Sequence, residues 1–205
     1  ASVAKEKGLE PLADLLFGFT LKGVDLNEVA KDYVDAEKGV ETVKDAIAGA
    51  MDIIAENISD EADYRIHIRK MTFDNGRITS AAKDPESKTV YEMYYNFEEP
   101  VKKIAGHRVL ALNRAEDEKV LTVKVEAPVE DILRYLEKQV ITRDNPNTTP
   151  VLREIIADSY SRLIGPAIER EIRNDLTEKA EDGAINVFGK NLEQLLLQPP
   201  IAGQV

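Results

Sequence analysis

The chain has 205 residues, a formal net charge of -11 at pH 7 and a pI near 4.8. Its hydrophobic content of 43% is enough for a core in one domain or a small pair of domains. It has no cysteine and no apolar run of membrane-spanning length, so we expect a cytoplasmic protein without membrane contact. So acidic a chain disfavours tight binding to a phosphate backbone, except through a local basic patch.

The first part of the chain is predicted to be mainly helical. A short apolar helix follows Pro11, and a second helix capped by Asp25 or Asn27 continues to Val34. A longer amphipathic helix covers residues 40–58, with apolar residues at steps of three and four: Val43, Ile47, Met51, Ile54 and Ile58. Ser59 or Asp60 is predicted to cap the next helix, which ends at the turn signal Asn75-Gly76.

The middle of the chain is predicted to mix helices with short strands. Residues 78–83 could extend a helix or form a strand, residues 90–97 are β-prone by composition, and Glu98-Glu99-Pro100 is expected to begin a short helix. Val109, Leu110 and Leu112 indicate a helix that ends in the charged run 115–119. Alternation over residues 120–126 is typical of a strand, and a further helix follows Pro128.

The last fifty residues carry the most informative pattern. From Ile164 an apolar residue recurs at every fourth position, which is a helical period, and residues 149–197 read as near-continuous helix. A strict step of four overshoots a turn of 3.6 residues by roughly 40°, so the apolar stripe winds around the helix. Different parts of the protein must therefore pack along this spine. Gly165-Pro166 predicts a kink, or a stop and restart with Pro166 in the first turn.

The predicted fold is mainly α: an irregular multi-helix module with one short β element, followed by a long kinked C-terminal helix. We expect a helical module over residues 1–148, the spine helix over 149–198, and a linker to a missing domain over 199–205. The apolar residues of the spine expected to pack against other domains are Ile168, Ile172, Leu176, Phe188, Leu192 and Leu196.

The sequence predicts no catalytic residues, no metal and no cofactor. Asp60-Glu61-Ala62-Asp63 resembles a helicase motif, but the chain lacks the phosphate-cradling loop which that chemistry requires. His67 and Asp63 supply only two metal ligands, and Glu98 and Glu99 are adjacent, so their side chains point apart. Ser159 and Ser161 have neither a local histidine nor a nucleophile elbow.

Two groups of basic residues could contact phosphate. A solvated surface balanced by nearby carboxylates is the favoured interpretation of both groups, given the acidic chain. The candidate nucleic-acid contacts are Arg65, Arg69 and Lys70 on one helix, and Lys102, Lys103 and Arg108, with His107 close by, on another segment.

Several segments, in order along nearly the whole chain, resemble the Tex family of bacterial transcription accessory proteins. They are Lys5–Ala13 (KEKGLEPLA), Tyr91–Pro100 (YEMYYNFEEP), His107–Arg114 (HRVLALNR), Glu169–Leu176 (EREIRNDL) and Asn191–Pro200 (NLEQLLLQPP). Two features depart from the family: Ala115 stands where glycine is usual, and the basic segment expected before Ala1 is absent.

The resemblance implies a helical N-terminal region, an RNase H-like domain, helix-hairpin-helix elements and an OB-fold RNA-binding domain in the whole protein. It also implies nucleic-acid binding and a role in transcription. This chain would be the N-terminal and central helical part, cut before the RNase H-like domain. The resemblance favours a helix at residues 90–97.

Two functions from different classes are compatible with these features. The first is a non-catalytic scaffold whose partners are the other domains of its own full-length chain, with RNA or DNA bound mainly by those missing domains. The alternative is an acidic protein-interaction module that docks a transcription partner such as RNA polymerase without touching nucleic acid. That alternative requires an open apolar patch along residues 168–196. An enzyme of unknown chemistry is disfavoured.

Overall fold

The computed structural model of the protein describes the backbone of residues 2–17 and 26–197 and the side chains of residues 3–17 and 26–183. The helices are α1 Ser2–Glu6, α2 Glu10–Phe17, α3 Leu26–Ala30, α4 Val43–Asp60, α5 Ala62–Asn75, α6 Gly106–Asp117, α7 Val129–Val140, α8 Thr149–Ser159 and α9 Gly165–Leu197. The strands are β1 Arg77–Ala82, β2 Asn96–Pro100 and β3 Leu121–Glu126. This architecture confirms the predicted fold class. The predicted linker and the Asp25 cap lie outside the described residues.

The chain forms two compact units. The first unit comprises Ala1–Met71 and Pro128–Ile168, and the second comprises Thr72–Ala127 and Glu169–Val205. The predicted domain boundaries at residues 148 and 198 stay predictions.

Helix α4 is the centre of the first unit. Thr42 caps it, because its Oγ1 accepts a 3.1 Å hydrogen bond from the Asp45 N–H. Helices α1, α2, α3 and α8 pack against α4, which buries Ile53, Ile54 and the small residues between the turns. The prediction that Ser59 or Asp60 caps α5 was wrong: α4 continues to Asp60, so both residues belong to α4, and Ser59 is buried.

A wide turn joins α8 to α9. The Gly165 N–H donates to the Tyr160 carbonyl five residues earlier, which makes Tyr160–Ile164 a π-helical turn. Pro166 then lies in the first turn of α9, where its missing N–H breaks no intrahelical bond. The backbone therefore stays helical from Thr149 to Leu197, as the near-continuous pattern predicts, and the interruption expected at Gly165-Pro166 takes the form of this π turn. Ser159, just before the turn, donates its hydroxyl to the Ala55 carbonyl of α4 at 2.6 Å.

The second unit contains an antiparallel sheet with strand order β2-β1-β3. Ser80 faces Phe97 on β2 and Val123 on β3, and this row lies on the inner face of the sheet. Helix α6 packs against β3 and buries Val109, Leu112 and Ala115. The strand predicted over residues 120–126 is confirmed, and the open choice at residues 78–83 is resolved as a strand.

Two predictions in the middle of the chain were wrong. Residues 90–97 form a 3-10 turn at Glu92–Tyr94 and then enter β2, and Glu98-Glu99-Pro100 completes that strand instead of beginning a helix. The aromatic composition indicated this outcome, and pairing with β1 supplies the backbone partners. Pro100 is tolerated because β2 is an edge strand.

Along the described residues, every helix is either too short or too polar to cross a lipid bilayer.

Candidate nucleic-acid interface

Arg65 is used within the first unit. Its Nε donates to the Ser59 carbonyl, and its Nη2 donates to the Ser59 Oγ at 3.0 Å. These bonds fix the turn between α4 and α5, so the guanidinium would have to break them before it could contact a phosphate.

The rest of this basic group lies in an acidic environment. Lys70 is exposed and Arg69 is half-buried on the same helix. Burial raises the pKa of Tyr64 above its ordinary value, and the charges of Glu61 and Asp63 raise it further. Because these carboxylates lie near the start of α5, the potential there opposes an approaching phosphate.

His67 packs against an aromatic ring. Its imidazole stacks on Tyr135 of α7, with ring centroids 4.0 Å apart, and Tyr64 meets the same ring edge-on at 6.2 Å. Burial raises the pKa of Tyr135, and the electrostatic interaction with the neighbouring Tyr64 raises this pKa further. A search of the described residues finds no cluster of histidine and carboxylate side chains able to hold a metal ion. His67 therefore has a packing role in the first unit.

The second basic group lies at the turn between β2 and α6. Lys102 and Lys103 are exposed, and within the described part of the chain neither pairs with a carboxylate. Arg108 is less available, because it pairs with Glu99 at 3.5 Å and lies 5.6 Å from the centroid of the Phe97 ring. The two lysines are thus the most accessible cations of this group.

The adjacent glutamates of β2 serve different partners. Glu98 pairs with Arg77 on β1, whereas Glu99 pairs with Arg108. Neighbouring side chains in a strand point to opposite faces, so the two carboxylates do not form a catalytic pair.

The first part of the predicted α9 seam is buried. Ile168 is 2% exposed in the first unit, and Ile172 and Leu176 are 2% and 8% exposed in the second unit. Gly106 begins α6 against α9, and a Cβ at this position would lie 3.2 Å from the Ala180 Cα. The side chains of Phe188, Leu192 and Leu196 lie outside the described residues.

A polar network beside this seam was not predicted. Arg173 donates to both carboxylate oxygens of Glu116, at 2.8 and 3.1 Å, and to the Asn113 Oδ1 at 2.9 Å. Asn113 also donates to Thr177 at 2.8 Å, and Glu169 accepts a 2.9 Å bond from the Val125 N–H at the free edge of β3. Glu169, Arg173 and Thr177 are spaced four residues apart on α9. This spacing was the available signal, since such residues share one helix face.

A comparison with known families identifies the chain. Residues 22–188 match the family model described as Tex central region-like. The chain belongs to the Tex family. The match confirms the resemblance seen in the sequence, and it covers both units in part.

Three Tex relatives show how the match extends. The protein YdcI of Bacillus subtilis is 52% identical over 208 residues, covering 100% of this chain and 29% of that protein. The transcriptional accessory protein Tex of Neisseria gonorrhoeae is 30% identical, covering 98% of this chain and 27% of that protein. Human S1 RNA-binding domain-containing protein 1 is 33% identical, and the match covers 82% of this chain and 18% of that protein. The chain thus spans less than a third of each of these relatives.

Proposed function

We propose that this chain is a non-catalytic helical scaffold of a transcription accessory protein, and that RNA or DNA is bound mainly by other domains of the full-length protein. The match to the Tex central region over residues 22–188 is the observation that carries this proposal. One relative is named for an S1 RNA-binding domain, yet this chain matches only 18% of it. The proposed location is the cytoplasm, and the proposed role needs no cofactor.

The packing of the C-terminal helices supports a scaffold. In the first unit, α8 and the wide turn after it pack on α4. In the second unit, α9 bonds to α6 through Arg173 and to β3 through Glu169. Within each unit these helices thus contact elements from distant parts of the sequence, which supports a scaffold role.

A minor contact with nucleic acid is part of the proposal. Lys102 and Lys103 are its best-supported members, because both are exposed and unpaired within the described residues. Arg65 and Arg108 already serve internal partners. The lysines would add salt-sensitive affinity without sequence preference.

Binding to labelled single-stranded RNA and duplex DNA tests this function. The chain and full-length YdcI are titrated at the same low salt concentration, and we expect the chain to bind at least about tenfold more weakly. Lys102→Ala/Lys103→Ala should weaken the remaining affinity, whereas the exposed pair Lys83→Ala/Lys88→Ala is the control. Equal affinity of chain and full-length relative, or no binding by either, would contradict the proposal.

The alternative, an acidic module that docks RNA polymerase, has less support along α9. The apolar patch that it requires would begin at Ile168, but Ile168, Ile172 and Leu176 are buried by the chain's own elements. A nuclease-resistant complex between the chain and purified polymerase would favour this alternative.

A further inference from the structure

One apolar stripe of the first unit is only partly covered. The stripe on α4 runs at helical spacing, and its second half, Ile54 and Ile58, is 2% and 3% exposed. Its first half, Val43, Ile47 and Met51, is only half-buried. A helix usually buries such a stripe along its whole length. Among the residues that the structure describes, none covers the beginning of the α4 stripe fully.

The uncovered half of the stripe lines a groove between α4 and α8. The groove has a volume of about 520 Å³, and Asn27 of α3 also lines it. Its apolar floor consists of Val43, Ile47, Ala48, Met51 and Ile155. Since each helical residue rises about 1.5 Å, the α4 side of this floor is about 12 Å long, which is two turns of a second helix. Methionine also adapts readily to different apolar partners.

The rim of this α4–α8 groove is acidic. The lining includes Asp52, Glu154 and Asp158, with Lys44 as the cation. Arg162 bridges Asp52 at 3.3 Å and Asp158 at 3.0 Å.

Arg162 lies among carboxylates. The hydrogen bond with Asp158 raises the pKa of Arg162, and the charges of Asp52 and Glu56 raise it further. The groove lining has three carboxylates, those of Asp52, Glu154 and Asp158, and the cation Lys44. Arg162 and Glu56 lie beside them. These six groups carry a net charge of -2 at neutral pH.

We propose that the α4–α8 groove binds a cationic amphipathic helix of a protein partner. The apolar face of that helix would lie on Val43, Ile47 and Met51, with anchors at positions i, i+4 and i+7, as in other helix-in-groove complexes. Its flanking lysines or arginines would pair with Glu154, whereas Asp158 is already bonded to Arg162. This activity goes beyond the proposed scaffold role and uses none of the candidate nucleic-acid contacts.

The charge of the rim decides between possible occupants. A nucleic acid would bring phosphates against the three carboxylates of the lining, and a second copy of this chain would bring another acidic surface. A cationic helix gains from both the apolar floor and the rim. Competition by RNA, or self-association of the chain through this groove, is therefore an outcome that contradicts the proposal.

A designed peptide of about 18 residues tests the groove. It is a fluorescent helix with leucines on one face and lysines on both flanks, and it is titrated into the complete 205-residue chain while anisotropy is recorded. We expect saturable binding that Met51→Glu weakens by about tenfold or more, since it places a charge in the apolar floor. The matched control is Met93→Glu, because Met93 is 69% exposed in the second unit.

A second pair of variants protects the test against misfolding. Glu154→Lys changes an exposed rim residue, and we expect it to weaken the lysine peptide by about tenfold while strengthening a peptide with glutamates in place of lysines. Glu92→Lys, an exposed change in the second unit, should alter neither affinity. The proposal is overturned if the lysine peptide does not bind, or if neither groove variant changes its affinity. It is also overturned if the glutamate peptide binds equally well, or if single-stranded RNA displaces the lysine peptide.

Discussion

Gly49 lies inside α4, where replacement by alanine has two opposing effects. Alanine in a helix interior is more favourable than glycine by about 1 kcal/mol, because it restricts the unfolded chain. A Cβ at Gly49, however, would overlap the Leu9 Cδ1 and lie 3.6 Å from the Ala4 Cβ. Leu9 is 1% exposed, so its side chain would have to leave its buried position, toward the neighbouring cavity of about 420 Å³, to make room for the Cβ.

The steric effect should exceed the helix propensity. Forcing a buried side chain off its rotamer costs about 1–3 kcal/mol, so Gly49→Ala should lower the free energy of unfolding by about 1 kcal/mol net. Leu9→Ala alone should cost about 2–5 kcal/mol. In that background the overlap is gone, so adding Gly49→Ala should increase stability by about 1 kcal/mol. The sign of the Gly49 effect therefore depends on Leu9.

Urea unfolding followed by circular dichroism measures these four free energies, with unchanged m-values as the check on each fit. Hydrogen exchange at α4 amides assigns the change to the first unit. Gly183→Ala is the matched control: it is also a helical glycine, but a Cβ there meets no described atom within 4 Å. It should stabilise the chain by up to about 1 kcal/mol. The reasoning is refuted if Gly49→Ala stabilises the wild-type chain as Gly183→Ala does, or if Leu9→Ala leaves the Gly49 effect unchanged.

Three further predictions concern polar contacts. Arg173→Ala should destabilise the second unit by about 2 kcal/mol in urea unfolding, because it removes charge-assisted bonds between α9 and α6. The control is Arg134→Ala, which removes an exposed ion pair and should cost no more than about 0.5 kcal/mol. Equal losses of stability in the two variants would show that the Arg173 network contributes nothing. Ser159→Ala should cost about 1–2 kcal/mol, since it deletes a buried hydroxyl bond to α4; a thermal-unfolding midpoint equal to that of the wild type would contradict this. The hydrogen bond with Glu118 raises the pKa of Tyr91 above 10.0, so its contribution to stability is complete below pH 10.0 and is lost as pH rises through the folded-state pKa. Unfolding measured from pH 9 upward should show a smaller alkaline loss for Tyr91→Phe, and an identical loss would count against the assignment.

Much of the fold was predictable because local patterns and tertiary packing agree. The three-and-four spacing on α4 and the step of four on α9 predict helices, and the structure has helices there. The alternation over residues 120–126 likewise predicts β3. Residues 90–100 differ, because their backbone partners lie on β1, outside any local window: the Ala82 N–H, for example, donates to the Tyr95 carbonyl, and Arg77 pairs with Pro100.

The candidate site was less predictable than the fold. Counting charges identifies six basic residues, but only coordinates show that Arg65 serves Ser59 and that Lys102 stays exposed. The bonds from Arg173 to Glu116 join residues 57 positions apart, so no local window contains both.

The sequence by itself determined the helical character, the acidic charge and the Tex-family membership, because periodicity, composition and ordered motifs are local properties of the chain. Tertiary structure alone decided which half of the α4 stripe is covered and which cations are engaged. Both outcomes depend on what a distant segment places against each side chain, and side-chain spacing carries no information about that neighbour.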